Sequence, residues 1–195
     1  MVNGPRKGRA KRAISAILLF LFLCFIPVAV SAQEMFLLSF GKGQIQVKLY
    51  ADYFCGPCRK LEPKIEYLIS DLVKRGSITI TFIDAPFHKY SSLYTKYFLY
   101  ILNEKKDISR ALKARTVLFE GAKDNIFEGE KLETFLQKQG IKFKPFDVKP
   151  VFTVLQNYLR EDSITSTPTC VIVDNNKKEV FAGTDNIVKA LENIR

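Results

Sequence analysis

Two cysteines, Cys55 and Cys58, stand where one hydrophobic period gives way to another. Upstream, Gln44 to Ala51 alternates, with Ile45, Val47, Leu49 and Ala51 on one face and Gln46, Lys48 and Tyr50 on the other. That pattern predicts a strand with one buried face. Downstream, residues 57–74 place Leu61, Ile65, Leu68, Ile69 and Leu72 at spacings of three and four, and Gly76 follows. That pattern predicts an amphipathic helix with a glycine stop. Cys55-Gly56-Pro57-Cys58 occupies the join. A strand that turns through a dithiol directly into a helix leaves few choices for the rest of the chain.

Ser77 to Ile83 is rich in β-branched residues and predicts a second strand. Strand, helix and strand over so short a span make a βαβ unit with parallel strands. Residues 33–43 read as a lead-in ending in the turn signal Gly41-Lys42-Gly43. Residues 88–162 then turn helical. Leu93, Tyr97, Tyr100 and Ile101 suggest one helix, and Ile108, Leu112 and Leu118 a second. Leu132, Phe135 and Leu136 suggest a third, and Val151, Val154, Leu155 and Tyr158 a last one with Pro150 in its first turn. Thr169 to Val173, the turn Asp174-Asn175-Asn176 and Lys178 to Ala182 read as a hairpin. Thr184 is placed to cap a final helix carrying Ile187, Val188, Leu191 and Ile194. The order is βαβ, helical insertion, ββα.

The first 32 residues stand apart. Arg6, Lys7, Arg9, Lys11 and Arg12 precede a nearly unbroken apolar run, Ala13 to Val30, closed by the small residues Ser31 and Ala32. This is the layout of a secretory leader. An uncleaved membrane anchor is the other reading, since the run is close to spanning length. Cys24 lacks the small preceding residue of a lipoprotein signal and reads as a leader residue. Five of the 30 basic residues and none of the 20 acidic ones fall in residues 1–32, so the remainder carries 25 against 20, a formal +5. Its lysines are interleaved with acids, without the basic stripe that nucleic acid requires. No nucleic-acid partner is expected, and contact with a membrane only through an uncleaved leader. The expected organisation is 1–32 signal peptide, 33–87 with 163–195 one discontinuous domain, and 88–162 an all-helical insertion.

Export places Cys55, Cys58 and Cys170 where disulfides form and exchange. Two sulfurs in so tight a turn can close and reopen a small ring. Cys55 would lie beside the free N–H groups of the helix start, which favour a thiolate. Pro57 costs nothing there, because early helical N–H groups have no internal partner. Cys58, one turn deeper, could attack a mixed disulfide formed at Cys55. Arg59 and Lys60 add positive charge. A zinc site would need two more ligands, and the remainder offers only Cys170 and its single histidine, His88. A structural bridge closing so small a loop removes little chain entropy. A second signal is Ser166-Thr167-Pro168-Thr169 at the mouth of the hairpin, since proline rarely opens a strand without a reason such as a cis bond beside a site. Cys170, two residues on, reads as a buried small hydrophobe, and His88 as a loop or helix-entry residue.

Together these residues resemble the thioredoxin superfamily, where CGPC heads the first helix and a cis-proline before a strand faces it. Pro63, five residues past the second cysteine, matches a proline of that family. The gap of about eighty residues between the second strand and Pro168 is far longer than one crossover helix needs. It is similar to the helical insertion of the DsbA-like branch, which acts in the bacterial cell envelope. The resemblance implies Cys55 as nucleophile and Cys58 as the buried resolving thiol. It implies a cis Thr167-Pro168 bond against the sulfurs and a Thr167 backbone that pairs with extended substrate. No cofactor or metal is implied. Two positions depart from the pattern. Leu49 stands where many relatives bury an acid, and Gly56-Pro57 is the dipeptide of reducing thioredoxins rather than of strongly oxidising DsbA enzymes.

The function expected is an exported, periplasmic or envelope thiol–disulfide oxidoreductase acting on cysteine-containing exported proteins with a membrane or soluble redox partner. The direction of electron flow is left open, because the dipeptide argues for reduction and the compartment for oxidation. The alternative class is a non-catalytic thioredoxin-fold binding or redox-sensing module. Copper(I) handling by the two thiolates is a third, without the Met- or His-rich surroundings it would favour.

Overall fold

The structure is a computed structural model and describes Met1 and residues 38–194. Those from 38 on lie in a unit spanning residues 34–195. Apart from Met1, the expected leader with Cys24 falls outside the described residues. The strands are β1 (Ser39–Gly41), β2 (Ile45–Ala51), β3 (Ile78–Asp84), β4 (Thr169–Asp174) and β5 (Lys177–Ala182). The helices are α1 (Gly56–Lys74), α2 (Ser91–Glu104), α3 (Ile108–Lys123), α4 (Gly129–Lys138), α5 (Lys149–Glu161) and α6 (Thr184–Glu192). The sheet order is β1-β3-β2-β4-β5, with β2 and β3 parallel and the other neighbours antiparallel. This is the expected thioredoxin fold, βαβ and ββα around four inserted helices.

The lead-in is more than a lead-in. Ser39–Gly41 pairs with Thr79–Thr81 of β3, and the Ser39 and Thr81 hydroxyls meet at 2.8 Å. Three residues are too few to show a period in sequence. The glycines after β1 have a steric cause. Gly41 has φ +94°, and a Cβ on it would lie 2.3 Å from the Ile78 carbonyl oxygen. A Cβ on Gly43 would lie 2.2 Å from the Ile78 nitrogen. The connection from β1 to β2 therefore runs against the start of β3, where only glycine fits.

Helix α1 buries Cys58, Leu61, Glu62, Ile65, Ile69 and Leu72. The apolar ones share one core with Val47, Leu49, Ile80 and Phe82 of the sheet and Ile187 and Leu191 of α6. At its end Gly76, at φ +73°, donates to the Val73 carbonyl while Ser77 donates to that of Leu72. This pair of bonds is the Schellman closure that a glycine permits. Thr184 does not cap α6 as expected. Gly183, at φ +82°, holds the N-cap position without a side-chain bond, and Thr184 is the first helical residue. Its hydroxyl donates instead to the Pro57 carbonyl at 3.2 Å, tying α6 to the dithiol turn.

Strand β2 also differs from expectation, since Tyr50, assigned to the polar face, is fully buried. The reason is α5, a helix of the insertion, which covers that side of the sheet. Tyr50, Ile83 and Val171 form a second core with Leu99, Val151, Leu155 and Ile164. The junction is closed by Asp162, the C-cap residue of α5. Lys48 Nζ lies 3.0 Å and Lys178 Nζ 2.7 Å from its carboxylate, and the Tyr50 hydroxyl donates to it. The Lys48 ammonium also sits 4.9 Å over the Tyr158 ring. Asp162 thus joins α5, β2 and β5.

The two lysines and the tyrosine outweigh burial and hold the Asp162 carboxyl below its ordinary range. A depressed carboxyl stabilises the fold above the ordinary aspartate pKa, and that contribution is lost as pH falls through the folded-state value. Asp162→Ala should lower urea-unfolding stability at pH 7 by about 1–3 kcal/mol, the cost of unpairing buried hydrogen-bonding groups. The gap between parent and variant should close as the pH is lowered below about 4.

Candidate active site

Cys55 is the N-cap residue of α1, in extended conformation at φ −78° and ψ 117°. The Cys58 N–H donates to its Sγ at 3.4 Å. Pro57 occupies the first turn, where no internal bond is forgone. The Cys55 Sγ–H donates to the Thr167 carbonyl at 3.2 Å, and the Thr167–Pro168 bond is cis. The structure thus brings together Cys55, Gly56, Pro57, Cys58, Thr167 and Pro168 from two segments more than a hundred residues apart. A Cβ on Gly56 would meet nothing within 4 Å, so the front of the turn is open.

The two thiols occupy different surroundings. Cys58 is 1% exposed, and burial, followed by its hydrogen bond to Cys55, pushes its thiol up to about 12. Cys170 is fully buried, opposite Leu49 and Phe181 in register, and burial pushes it also up to about 12. The three cysteines among the described residues are free thiols. Leu49 is buried and apolar, so no carboxylate stands at that position of β2.

The turn is held from behind by Asp52. The backbone N–H of Cys55 donates to the Asp52 carbonyl at 3.1 Å. The Asp52 carboxylate is buried and accepts from the Phe54 N–H at 2.8 Å and the Ser91 hydroxyl at 2.7 Å through Oδ1. Through Oδ2 it accepts from the N–H groups of Phe87 and His88 at 2.8 and 3.1 Å, and His88 Nδ1 stands 3.0 Å away. His88 is a loop residue, as expected, but Asp52 ties it to the dithiol turn.

A second polar group lies inside. Arg115 of α3 is completely buried and grips Glu62 of α1 with two bonds, at 2.6 and 2.9 Å. Its guanidinium lies 4.7 Å over the Phe82 ring. Its Nη1 faces Asp84 Oδ1 at the end of β3, at 3.5 Å. Neither Asp84 oxygen, nor the buried Tyr53 hydroxyl, makes a well-formed hydrogen bond. Burial, only partly offset by Arg115, raises the Asp84 carboxyl to about 6. Sequence reasoning missed Asp52, Glu62, Asp84 and Arg115 as a set. One signal was present, since Glu62 lies four residues past Cys58 on the apolar stripe of α1. Its partner is 53 positions away. Among the described residues no cluster of three or more His, Cys, Asp or Glu side chains is arranged to hold a metal, and no helix is long and apolar enough to cross a membrane.

A dithiol at a helix N-terminus, opposed by a cis-proline at the mouth of a strand, defines the thioredoxin-fold class of proteins. The chain belongs to the thioredoxin family, whose model matches residues 42–193. Solved structures of DsbA-like proteins share its fold. A putative protein-disulfide isomerase from Pseudomonas syringae is 14% identical, with a TM-score of 0.66 over 83% of this chain and 99% of that one. A periplasmic thioredoxin-like protein from Salmonella enterica serovar Typhimurium is 18% identical, with a TM-score of 0.61 over 84% and 94%. Wolbachia pipientis alpha-DsbA1 is 13% identical, with a TM-score of 0.61 over 80% and 89%. No curated protein matches the chain by sequence.

A carboxyl raised by burial stabilises the fold below its ordinary pKa and ceases to do so as pH rises through the folded-state value. For Asp84 that window runs from about 4 to about 6. Urea midpoints should therefore carry a downward contribution across that window in the parent. In Asp84→Asn the contribution should be missing.

Proposed function

We propose that the chain is an exported thiol–disulfide oxidoreductase that exchanges disulfides with cysteine-containing exported proteins through Cys55 and Cys58. The observation that carries this reading is the Cys55 sulfur. It caps α1, receives the Cys58 N–H, and lies against the Thr167 carbonyl beside cis Pro168. The basic start and apolar run of residues 6–30 support export, and the periplasmic origin of the similar Salmonella protein agrees with it.

In the reducing direction the Cys55 thiolate attacks one sulfur of a substrate disulfide. The new bond joins Cys55 to substrate, and the substrate's other sulfur leaves as a thiolate. Cys58 then gives up its proton, to water or to the thiolate that has just left, and its thiolate attacks the Cys55 sulfur. The Cys55–Cys58 disulfide forms, and the first substrate sulfur leaves as the second thiolate. The protein has lost two electrons and the substrate has gained them. The oxidising direction is the reverse. The high pKa of Cys58 orders the two steps. Burial keeps it a thiol, and the second contribution is its hydrogen bond to Cys55. Once Cys55 is covalently engaged, that contribution is gone while burial remains. Thr167, next to the sulfur, would present its backbone to extended substrate. Gly56-Pro57 favours the reducing side.

Cys58→Ser should accumulate mixed disulfides with a model substrate, visible on non-reducing gels. Cys55→Ser should form none and should lose turnover by orders of magnitude. If Cys55→Ser reduces insulin as fast as the parent, the reading is wrong. Equilibration with glutathione should return a potential nearer about −270 mV than about −120 mV.

A further inference from the structure

Along the sequence after residue 32 the lysines are interleaved with acids, but the fold sorts them. Strand β2 runs toward the dithiol, so its first residue marks the opposite end of the sheet. There Ile45 pairs with Ile78, the first residue of β3, and the Gly43 N–H donates to the Ile78 carbonyl at 3.2 Å. The turn that carries Lys42 therefore lies at that far end. So does Lys74, which closes α1 shortly before β3. Helix α2 leaves the dithiol end at Ser91, whose hydroxyl is held by Asp52. Its 14 residues advance about 21 Å, and Lys105 follows them. The next side chain, Lys106, sets its ammonium 5.4 Å over the ring of Phe40 in β1.

The segment after α4 joins this end. The Lys142 carbonyl accepts from Arg110 at 2.6 Å, the Lys144 N–H donates to the Tyr100 carbonyl at 2.9 Å, and the Lys144 carbonyl accepts from Asn103 at 3.0 Å. These bonds fix the backbone along the end of α2. Phe143 turns inward, edge-on to Tyr97 at 5.5 Å, while Lys142 and Lys144 on either side of it are exposed. Lys138, in the last turn of α4, stands four residues before Lys142. The neighbouring acids are already engaged: Asp71 pairs with Arg75, Glu104 with Arg110, and Asp107 caps α3. Lys42, Lys74, Lys105, Lys138, Lys142 and Lys144 are all exposed, and among the described residues none has an anionic partner. The exposed acids Asp174 and Glu192 belong to the other edge, at β5 and α6. At the dithiol end, by contrast, Arg59 and Lys123 share a hollow with Glu120.

Like charges gathered without partners repel one another, and an anionic counter-surface relieves the repulsion. A cluster of this size suits an anionic lipid surface, where each lysine adds about fivefold to binding. The course of the chain agrees. It enters the sheet at β1, next to Lys106, and the apolar run of residues 13–30 ends eight positions before Leu38. Eight residues span at most about 28 Å, so a run resting in a bilayer keeps β1 within that distance of lipid.

We infer that the end of the domain opposite the dithiol is a docking surface for anionic phospholipid, which holds the domain on a membrane with Cys55 facing away. Helix α1 sets the separation. Its 19 residues put about 28 Å between the dithiol and Lys74. That is several times the screening length of about 8 Å at physiological salt, so lipid contact leaves the field at the thiols unchanged. The surface goes beyond the oxidoreductase reading and does not depend on it.

The test labels the full chain sparsely with an amine-reactive reagent and reads each lysine by mass spectrometry. Vesicles are phosphatidylcholine alone, or the same lipid with phosphatidylglycerol at about one molecule in three. On the anionic vesicles Lys42, Lys105, Lys142 and Lys144 should react about fivefold more slowly than on the neutral ones. Lys89 and Lys123, at the dithiol end, should not change. Reading single side chains separates this surface from the leader, whose own basic residues also favour anionic lipid. Salt at about 1 M, which screens charges beyond roughly 3 Å, should abolish the protection. Lys142→Glu with Lys144→Glu should uncover Lys42 and Lys105, whereas Lys89→Glu with Lys123→Glu should leave them covered. Absent protection, protection equal at Lys89 and Lys123, or protection on neutral vesicles as well overturns the surface. So does equal or stronger protection by soluble polyphosphate, since the partner would then be a dissolved polyanion. Exchange with glutathione is followed on the same samples. Inert thiols with intact protection would remove the oxidoreductase reading and leave the surface standing; normal exchange without protection would do the reverse.

Discussion

The active end of the molecule depends on a buried carboxylate that is not itself placed to exchange anything. Asp52 follows β2 directly, and its two oxygens gather donors from Phe54, Phe87, His88 and Ser91. A carboxylate taken out of water is costly unless its lone pairs are filled, and here they are. The result is a fixed joint. The dithiol turn, the segment after β3 and the entry to α2 are held to one another at a single residue. Because the Asp52 carbonyl also receives the Cys55 N–H, the sulfur at the helix cap is located by the same joint. A thiol whose position varied by an ångström would not keep both the Cys58 N–H and the Thr167 carbonyl within reach.

The insertion serves this end of the sheet in two ways. Its last helix, α5, covers the far face of β2 and β3 and is fastened there by Asp162 to Lys48, Tyr50 and Lys178. Its second contact is Arg115 of α3, which reaches Glu62 one turn below Cys58 and faces Asp84 at the end of β3. Helix α1 is therefore clamped from the sheet side by apolar packing and from the insertion side by a buried ion pair. Breaking one partner of such a pair costs far more than the pair contributes in net stability, so it acts as a constraint on where α3 sits. The loops that follow α3 bring Phe127 to the ring of Phe54.

Much of this was legible in sequence, for reasons that can be named. The period-2 pattern located β2 and the 3.6-residue pattern located α1, because each buries one face; β3 showed in its β-branched run and the hairpin in its Asp174-Asn175-Asn176 turn. The dithiol could be placed at a helix start because Pro57 is at ease only there. Thr167-Pro168 drew notice because proline at a strand mouth is rare. Other features left no trace. Strand β1 is too short to show a period. Thr184 has the chemistry of a cap, but Gly183 with its positive φ takes that position and frees the hydroxyl for Pro57. Tyr50 falls on the nominally polar side of β2, and nothing local says that a helix a hundred residues later will cover it.

The sequence by itself determined the chemistry and the local frame. Two cysteines one helical turn apart, a proline that starts the helix, and a strand before it are short-range facts, carried by backbone preference and hydrophobic period. The tertiary structure alone decided which distant groups surround them. It set the Thr167 carbonyl against the Cys55 sulfur, buried Cys58 and so kept its proton on, and paired Glu62 with Arg115. It also stacked Phe127 beside Phe54. Those relations join residues separated by between about fifty and more than a hundred positions. They follow from how the sheet and the inserted helices pack in three dimensions, which no local pattern encodes.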